Sequence, residues 1–269
     1  MGSGRHSLKF GYDLTQVNDE MINLYQGGAT YNFSTLNDFA LDCGNPAFPL
    51  PLQNCQAAPV VPAGTIVGKH YNTFIQAFDT LGKGGATQFK TFDMAFYVED
   101  TFRPLPALTV NVGLRYDLQT MPSLQGNPDV PGTTRINTDA NNFGPRLGIS
   151  WDPFGKQKTV VRLGGGVYYG RTQNSLLANL MTNNGVRFKS YSFIPSSAGS
   201  PIFPNVLPGV PTGSGARSDL IFAAGDFANP AIYQTELSVE HEVFRDFTLS
   251  AIYMGNRGTR MPVFRDTNL

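Results

Sequence analysis

Leu108-Thr109-Val110-Asn111-Val112-Gly113-Leu114-Arg115-Tyr116-Asp117 alternates apolar and polar side chains without a break. Period-two alternation specifies a strand with one apolar and one polar face, and this run exceeds the roughly five or six residues usual for a strand in a soluble domain. Immediately upstream, Phe92, Met94, Phe96 and Val98 share one parity and Asp93, Ala95, Tyr97 and Glu99 the other, with Arg103-Pro104-Leu105-Pro106-Ala107 as the turn between the two runs. Asp100 is the flaw, a carboxylate on the apolar parity, placed near the turn where a misplaced charge costs least.

The same ribbon recurs twice. Leu147, Ile149 and Trp151 alternate with Arg146, Gly148, Ser150 and Asp152. After Pro153-Phe154-Gly155-Lys156, Val161, Leu163, Gly165, Val167 and Tyr169 oppose Arg162, Gly164, Gly166, Tyr168 and Gly170. Farther on, Tyr233, Thr235, Leu237, Val239 and Val243 oppose Gln234, Glu236, Ser238, Glu240 and Glu242, and Phe247, Leu249, Ala251 and Tyr253 return after Phe244-Arg245-Asp246. Each hairpin turn is brief, while the segments between hairpins are long, polar and rich in Pro and Gly. Brief turns at one end and long loops at the other are the layout of an outer-membrane barrel wall. The expected fold is therefore all-β: an antiparallel up-and-down transmembrane β-barrel over residues 1–269, an incomplete wall of about nine or ten strands with long extracellular loops. Phe102, Tyr116, Trp151, Tyr169 and Tyr253, near strand ends, suit an interfacial girdle.

Composition agrees. The chain has 29 Gly, 19 Pro, 20 Phe and 11 Tyr, a balance that favours strands and turns over helices. Twenty basic and twenty acidic residues cancel, so there is no electrostatic footprint for nucleic acid. No apolar run approaches the length of a spanning helix, so any membrane crossing is made by strands. Met1-Gly2-Ser3-Gly4-Arg5-His6 lacks the apolar core of a signal peptide, which leads to the expectation of a piece cut from a larger exported protein.

Ser7–Leu14 alternates as a further strand, with weaker extended patterns at Thr30–Ser34 and Tyr71–Phe78 and a helical turn at Leu36–Leu41. Cys43 and Cys55 flank a Pro-rich stretch; a disulfide made in an oxidising compartment and two free thiols both fit, whereas zinc lacks the four ligands it needs. Counting strands puts this segment on the short-turn side if none has been missed, but so long a connection sits badly there, and its side stays open.

Catalytic and cofactor motifs are weak. Gly164-Gly165-Gly166 followed by Gly170 misses the dinucleotide spacing because Tyr169 takes the last glycine position. Ser238 and His241 fall on opposite faces of one strand and cannot pair as nucleophile and base. His6 and His70 read as surface or interfacial residues. Arg115, Asp117, Arg146, Arg162, Glu236 and Glu240 share the polar parity and are the candidate lumen-facing residues. Phe188, Tyr191 and Phe193 read as loop aromatics that pack on one another.

Phe96-Tyr97-Val98-Glu99-Asp100-Thr101-Phe102-Arg103, then Leu108 to Tyr116, Asn142-Phe143-Gly144-Pro145-Arg146-Leu147-Gly148 and Tyr253-Met254-Gly255-Asn256-Arg257-Gly258-Thr259-Arg260, resemble in order the barrel of TonB-dependent outer-membrane receptors. The nearest variety is the Oar-like group, with a carboxypeptidase-regulatory-like domain ahead of the plug. The resemblance spans most of residues 5–264 and implies energised nutrient uptake across a Gram-negative outer membrane. It also implies outer-membrane lipid around the wall, a small nutrient, oligosaccharide or peptide as cargo, and contact with the TonB complex only through a plug that this sequence lacks. No cofactor is expected, and no enzymatic activity. The rival from another class is a secreted all-β adhesion or carbohydrate-binding module, in which a second protein layer covers the apolar faces. A barrel lipase or protease needs a Ser/His or Asp/His constellation that three histidines do not supply.

Overall fold

The computed structural model describes residues 2–43, 66, 68–212, 216–217 and 220–267. One antiparallel sheet dominates. Its strands, in chain order, are β1 (Gly2–Ser3), β2 (His6–Ile22), β5 (Ala86–Leu105), β6 (Leu108–Gln119), β7 (Asn142–Trp151), β8 (Thr159–Tyr169), β11 (Ala231–Phe244) and β12 (Phe247–Thr259), each paired with the next. A second sheet, in the order β10-β9-β4-β3, joins β3 (Thr30–Asn32), β4 (Thr73–Asp79), β9 (Phe188–Phe193) and β10 (Ala216–Arg217). Two helices, α1 (Leu36–Cys43) and α2 (Asn174–Thr182), lie in the long connections.

The register aligns the apolar parity across the whole sheet. Phe10 pairs with Val98, Val98 with Leu114, Leu163 with Leu237 and Leu237 with Tyr253. These side chains are uncovered: Phe10 is 79% exposed, Tyr12 74%, Phe96 57% and Leu237 43%. No second layer of described residues packs on this face, so the described residues do not form the two-layer body that the soluble rival requires. Among the described residues no helix is long and apolar enough to cross a membrane.

The apolar band has a definite upper limit. On β2 the outward parity runs Leu8, Phe10, Tyr12 and Leu14, then turns polar at Gln16, Asn18 and Glu20; opposite them on β5 stand Phe92, Lys90 and Gln88. At about 3.4 Å per residue and a tilt near 45°, Phe92 to Phe102 covers roughly 25 Å of depth, the height of the apolar band of an outer-membrane wall. At the lower rim Asp100 faces outward, as the alternation requires, and its Oδ2 meets His6 Nδ1 at 2.7 Å while the His6 ring stacks on Phe102 at 4.3 Å. His6 is thus the partner of the misplaced carboxylate. Trp151 closes β7 at the turn end, opposite Leu108, whereas Tyr253 sits in mid-strand and marks no rim within β12.

The expected strand count is close, but its distribution differs. The patterns at Thr30–Ser34 and Tyr71–Phe78 belong to the second sheet, not the wall. Burial separates the two kinds of strand: β4 is covered on both faces, with Phe74 at 0%, Gln76 at 5% and Ala77 at 4% exposure, whereas a wall strand leaves one face open. Because β2 pairs directly with β5, the connection holding α1 and Cys43 lies at the long-loop end, opposite to the side expected from counting. The β2–β5 and β8–β11 connections pair there through β4 and β9, with Phe74 opposite Phe193 and Asp79 opposite Phe188.

This loop assembly has its own core. The Tyr31 ring meets Tyr71, Phe74 and Phe203 at 4.9, 4.8 and 5.0 Å, and Phe33 meets Phe39 and Phe203 edge-on. Tyr191 packs on Phe78 and Phe193 on Phe74, so the loop aromatics pair with β4 and not with one another. Burial raises the phenol pKa of both Tyr31 and Tyr71. Asp42, fully buried at the end of α1, accepts from the amides of Gly68 and His70 and contacts His70 Nδ1 at 2.6 Å. His70 is therefore an interior residue and not a surface one. Cys43, beside it, is buried and disulfide-bonded; Cys55 lies outside the described residues.

Candidate functional site

Strand alternation puts every polar-parity residue of the wall on the face opposite the exposed apolar band. Arg115, Asp117, Arg146, Arg162, Glu236 and Glu240 all lie on that face, and the structure brings most of them into contact with charge partners or rings. Arg115 is held on two sides: its Nε donates to Asp117 at 2.8 Å and its Nη1 to Asp13 on β2 at 2.9 Å, across the intervening strand β5. Arg162 pairs with Glu240 at 2.7 Å. The Arg146 guanidinium lies 4.5 Å over the Tyr168 ring. Glu236 is exposed between Gly164 and Met254 and joins no ion pair among the described residues.

A small cavity of 180 Å³ runs between these side chains, lined by Lys9, Tyr97, Glu99, Arg115 and Arg146 among others. Its floor depends on a glycine. A Cβ added at Gly11 would lie 2.5 Å from the Tyr97 hydroxyl oxygen and 2.7 Å from ring carbon Cζ, so Tyr97 lies flat across the wall only because residue 11 has no side chain. Gly11→Val is expected to destabilise the wall by about 1–3 kcal/mol through overpacking. Urea unfolding in lipid vesicles checks it, and adding Tyr97→Ala to the same chain should return much of the loss.

Toward the loops, the polar face is covered by α2. Leu177, Ala178 and Leu180 form an apolar cluster with Phe89 of β5, joined by Met21, Met121 and Leu124. Polar straps hold the helix there. The Gln119 side chain accepts from the Thr172 amide at 2.7 Å and donates to the Thr172 carbonyl at 3.1 Å, Asn174 donates to Asp19 at 2.6 Å, and Arg171 reaches Asp93 at 3.3 Å. The helix is thus anchored to the wall, and Gly164, Gly165 and Gly166, ahead of it in sequence, are residues of β8 itself.

A buried two-point charge pair lies in the loop assembly. Arg187 grips Asp79 through both carboxylate oxygens, at 3.2 and 3.1 Å, and also donates to Thr87 and Ala86 of β5. Burial alone would push the Asp79 carboxyl up. Hydrogen bonds from Arg187 and from the Gly85 and Leu81 amides, with the guanidinium charge, outweigh it and hold the group below the usual carboxylate range.

No arrangement suited to nucleophilic catalysis emerges from the histidines. His241 contacts Thr159 at 2.8 Å, on the opposite parity from Ser238. Lys69 donates to Ser200 at 2.7 Å, but the Ser200 hydroxyl is itself donated to the Pro195 carbonyl, which makes this a strap within a loop. Among the described residues no group of His, Cys, Asp or Glu has the disposition of a metal site.

Asp13 was legible as a polar-parity residue of its strand, yet its pairing with Arg115 depends on β2 being the neighbour of β5, which alternation does not state. The Asp79–Arg187 and Asp42–His70 pairs had no sequence signal.

The family model for the outer membrane beta barrel domain matches residues 1–269. No curated protein matches closely enough to carry a comparison. In keeping with its open apolar face, its roughly bilayer-high band and its turn-and-loop asymmetry, the chain belongs to the outer membrane β-barrel domain family and resides in the outer membrane of a Gram-negative bacterium.

Proposed function

We propose that this wall is the β-barrel portion of a TonB-dependent transporter of the Oar-like group, taking up a nutrient through a lumen lined by its polar face. The observation that carries the reading is that the sheet does not close: β2 beyond its first residues and β12 along its length have free outer edges among the described residues. Backbone left unpaired at membrane depth is not tolerated, so the working barrel has more strands than these. A wider barrel encloses a hydrated channel, where a narrow one fills with side chains. The two separate ionic groups of the polar face, Arg115 with Asp13 and Asp117 and Arg162 with Glu240, suit such a channel, and the four sequence segments that resemble the receptor barrel supply the energised class. Its role is passage and capture, with no catalytic step.

The test is growth on a panel of scarce nutrients by cells carrying the receptor gene, with and without TonB. Growth on at least one nutrient should require both genes. Growth that requires the receptor but is indifferent to TonB would overturn the assignment in favour of a passive porin.

A further inference from the structure

A cleft of 890 Å³ opens at the loop end of the wall, between β5 and residues 122–126. It exists because β6 stops short. Gln119 pairs with Asp93, after which the Phe92 amide donates to Thr120 Oγ1 and the Thr120 amide to the Phe92 carbonyl, both at 2.9 Å. Beyond Thr120 the chain turns away to bury Met121 and Leu124 against Phe89 and Leu177, and Pro122 has no amide hydrogen with which to continue the ladder. β5, in contrast, runs on to Ala86 alongside β2.

Backbone alternation then decides which groups face the cleft. Phe92 presents its amide and carbonyl to the β6 side, so Lys90 and Gln88 do the same, while Thr91, Phe89 and Thr87 bond to β2. The next in the series, Ala86, has its carbonyl occupied by Arg187. The amides and carbonyls of Gln88 and Lys90 have no partner among the described residues. These four groups form a short open strand edge, of the kind that accepts an added strand.

Charge narrows the occupant. Lys83, Lys90 and Arg187 line the cleft, and no carboxylate does. Arg187 is committed to Asp79, which leaves Lys83 and Lys90 as exposed cations with no ion pair among the described residues. Phe89, Met181 and Pro122 add apolar surface.

We propose that this cleft docks an extended acidic peptide, added as a strand to β5 and exchanging four backbone hydrogen bonds with Gln88 and Lys90 while its carboxylates meet Lys83 and Lys90. A sugar has no repeating amide and carbonyl to match this edge. As the capture step of uptake the site rests on the transport reading; as a binding site it stands on the β5 edge alone.

The probe is a short fluorescent peptide of alternating Glu and Val, titrated by anisotropy against the intact protein in detergent. Binding should saturate. N-methylation of alternate peptide amides in the parity facing β5 should weaken it about tenfold or more, since methylation removes the donors, while methylation in the other parity should leave it unchanged. Lys83→Glu with Lys90→Glu should weaken it by a similar factor and transfer preference to a Lys/Val peptide. Absence of saturable binding, indifference to which amides are methylated, or equal competition by an acidic oligosaccharide would each overturn the proposal. TonB-dependent growth without peptide binding would remove this site and leave the transport reading intact. Peptide binding with TonB-indifferent growth would do the reverse.

Discussion

Leu237→Arg, in the middle of β11, is expected to destabilise the wall by about 2–4 kcal/mol, the cost of a guanidinium at the midplane of a barrel's lipid face. Glu236→Arg, one residue away, should change stability by no more than about 0.5 kcal/mol. The contrast follows from alternation alone. Leu237 is flanked by Leu163 and Tyr253 on the exposed apolar face, whereas Glu236 stands on the polar face between Gly164 and Met254. The lone tryptophan, Trp151, provides a fluorescence signal for urea unfolding in lipid vesicles. Equal losses for the two variants would mean that the apolar band is not in contact with acyl chains.

The second large effect lies in the loop assembly. Arg187→Met strands the Asp79 carboxylate, whose side chain is 2% exposed, and breaking one partner of a buried pair costs about 3–5 kcal/mol. That loss should be confined to the second sheet. Amide exchange in β4 and β9 is expected to accelerate sharply while the β5–β6 and β11–β12 hairpins stay protected. Asp79→Leu added to Arg187→Met should recover much of the protection, because an apolar pair of similar volume replaces a lone charge. The pH dependence has a definite sign. The Asp79 carboxyl is held below its usual range, so its contribution is fully present above the unfolded carboxylate pKa of about 3.9 and is lost as pH falls through the lower folded value. Wild-type β4 and β9 should lose protection in that acidic window. The Arg187→Met chain should show a flatter acid response, and an equally steep one would assign the acid lability to another group.

Alternation carried the wall because its two solvents differ: lipid on one side and a polar interior on the other write period two into Leu108–Asp117 and its neighbours. The candidate polar-face residues were readable for the same reason, since parity alone assigns Arg115, Arg162 and Glu240 to one side. What alternation does not encode is adjacency. The pairing of β2 with β5 over the whole length of β2 sets Asp13 beside Arg115 and moves α1 to the loop end, and it depends on register between strands far apart in sequence. β4 escaped for a different reason. Buried on both faces, Thr73–Asp79 has no polar parity to contrast with an apolar one, so its pattern resembled a weak wall strand.

The pairing of β4 with β9 joins two connections that leave the wall at different strands, and Arg187 meets Asp79 across 108 positions of sequence. Hairpins such as β5–β6 close over a few residues and gain their contacts early, whereas such distant pairing incurs its loop-closure entropy first. On this ground the outward cap is expected to condense after the hairpins and to be the part whose local melting leaves the bilayer-spanning ribbons beneath it protected, an order that pulsed amide exchange during refolding would check.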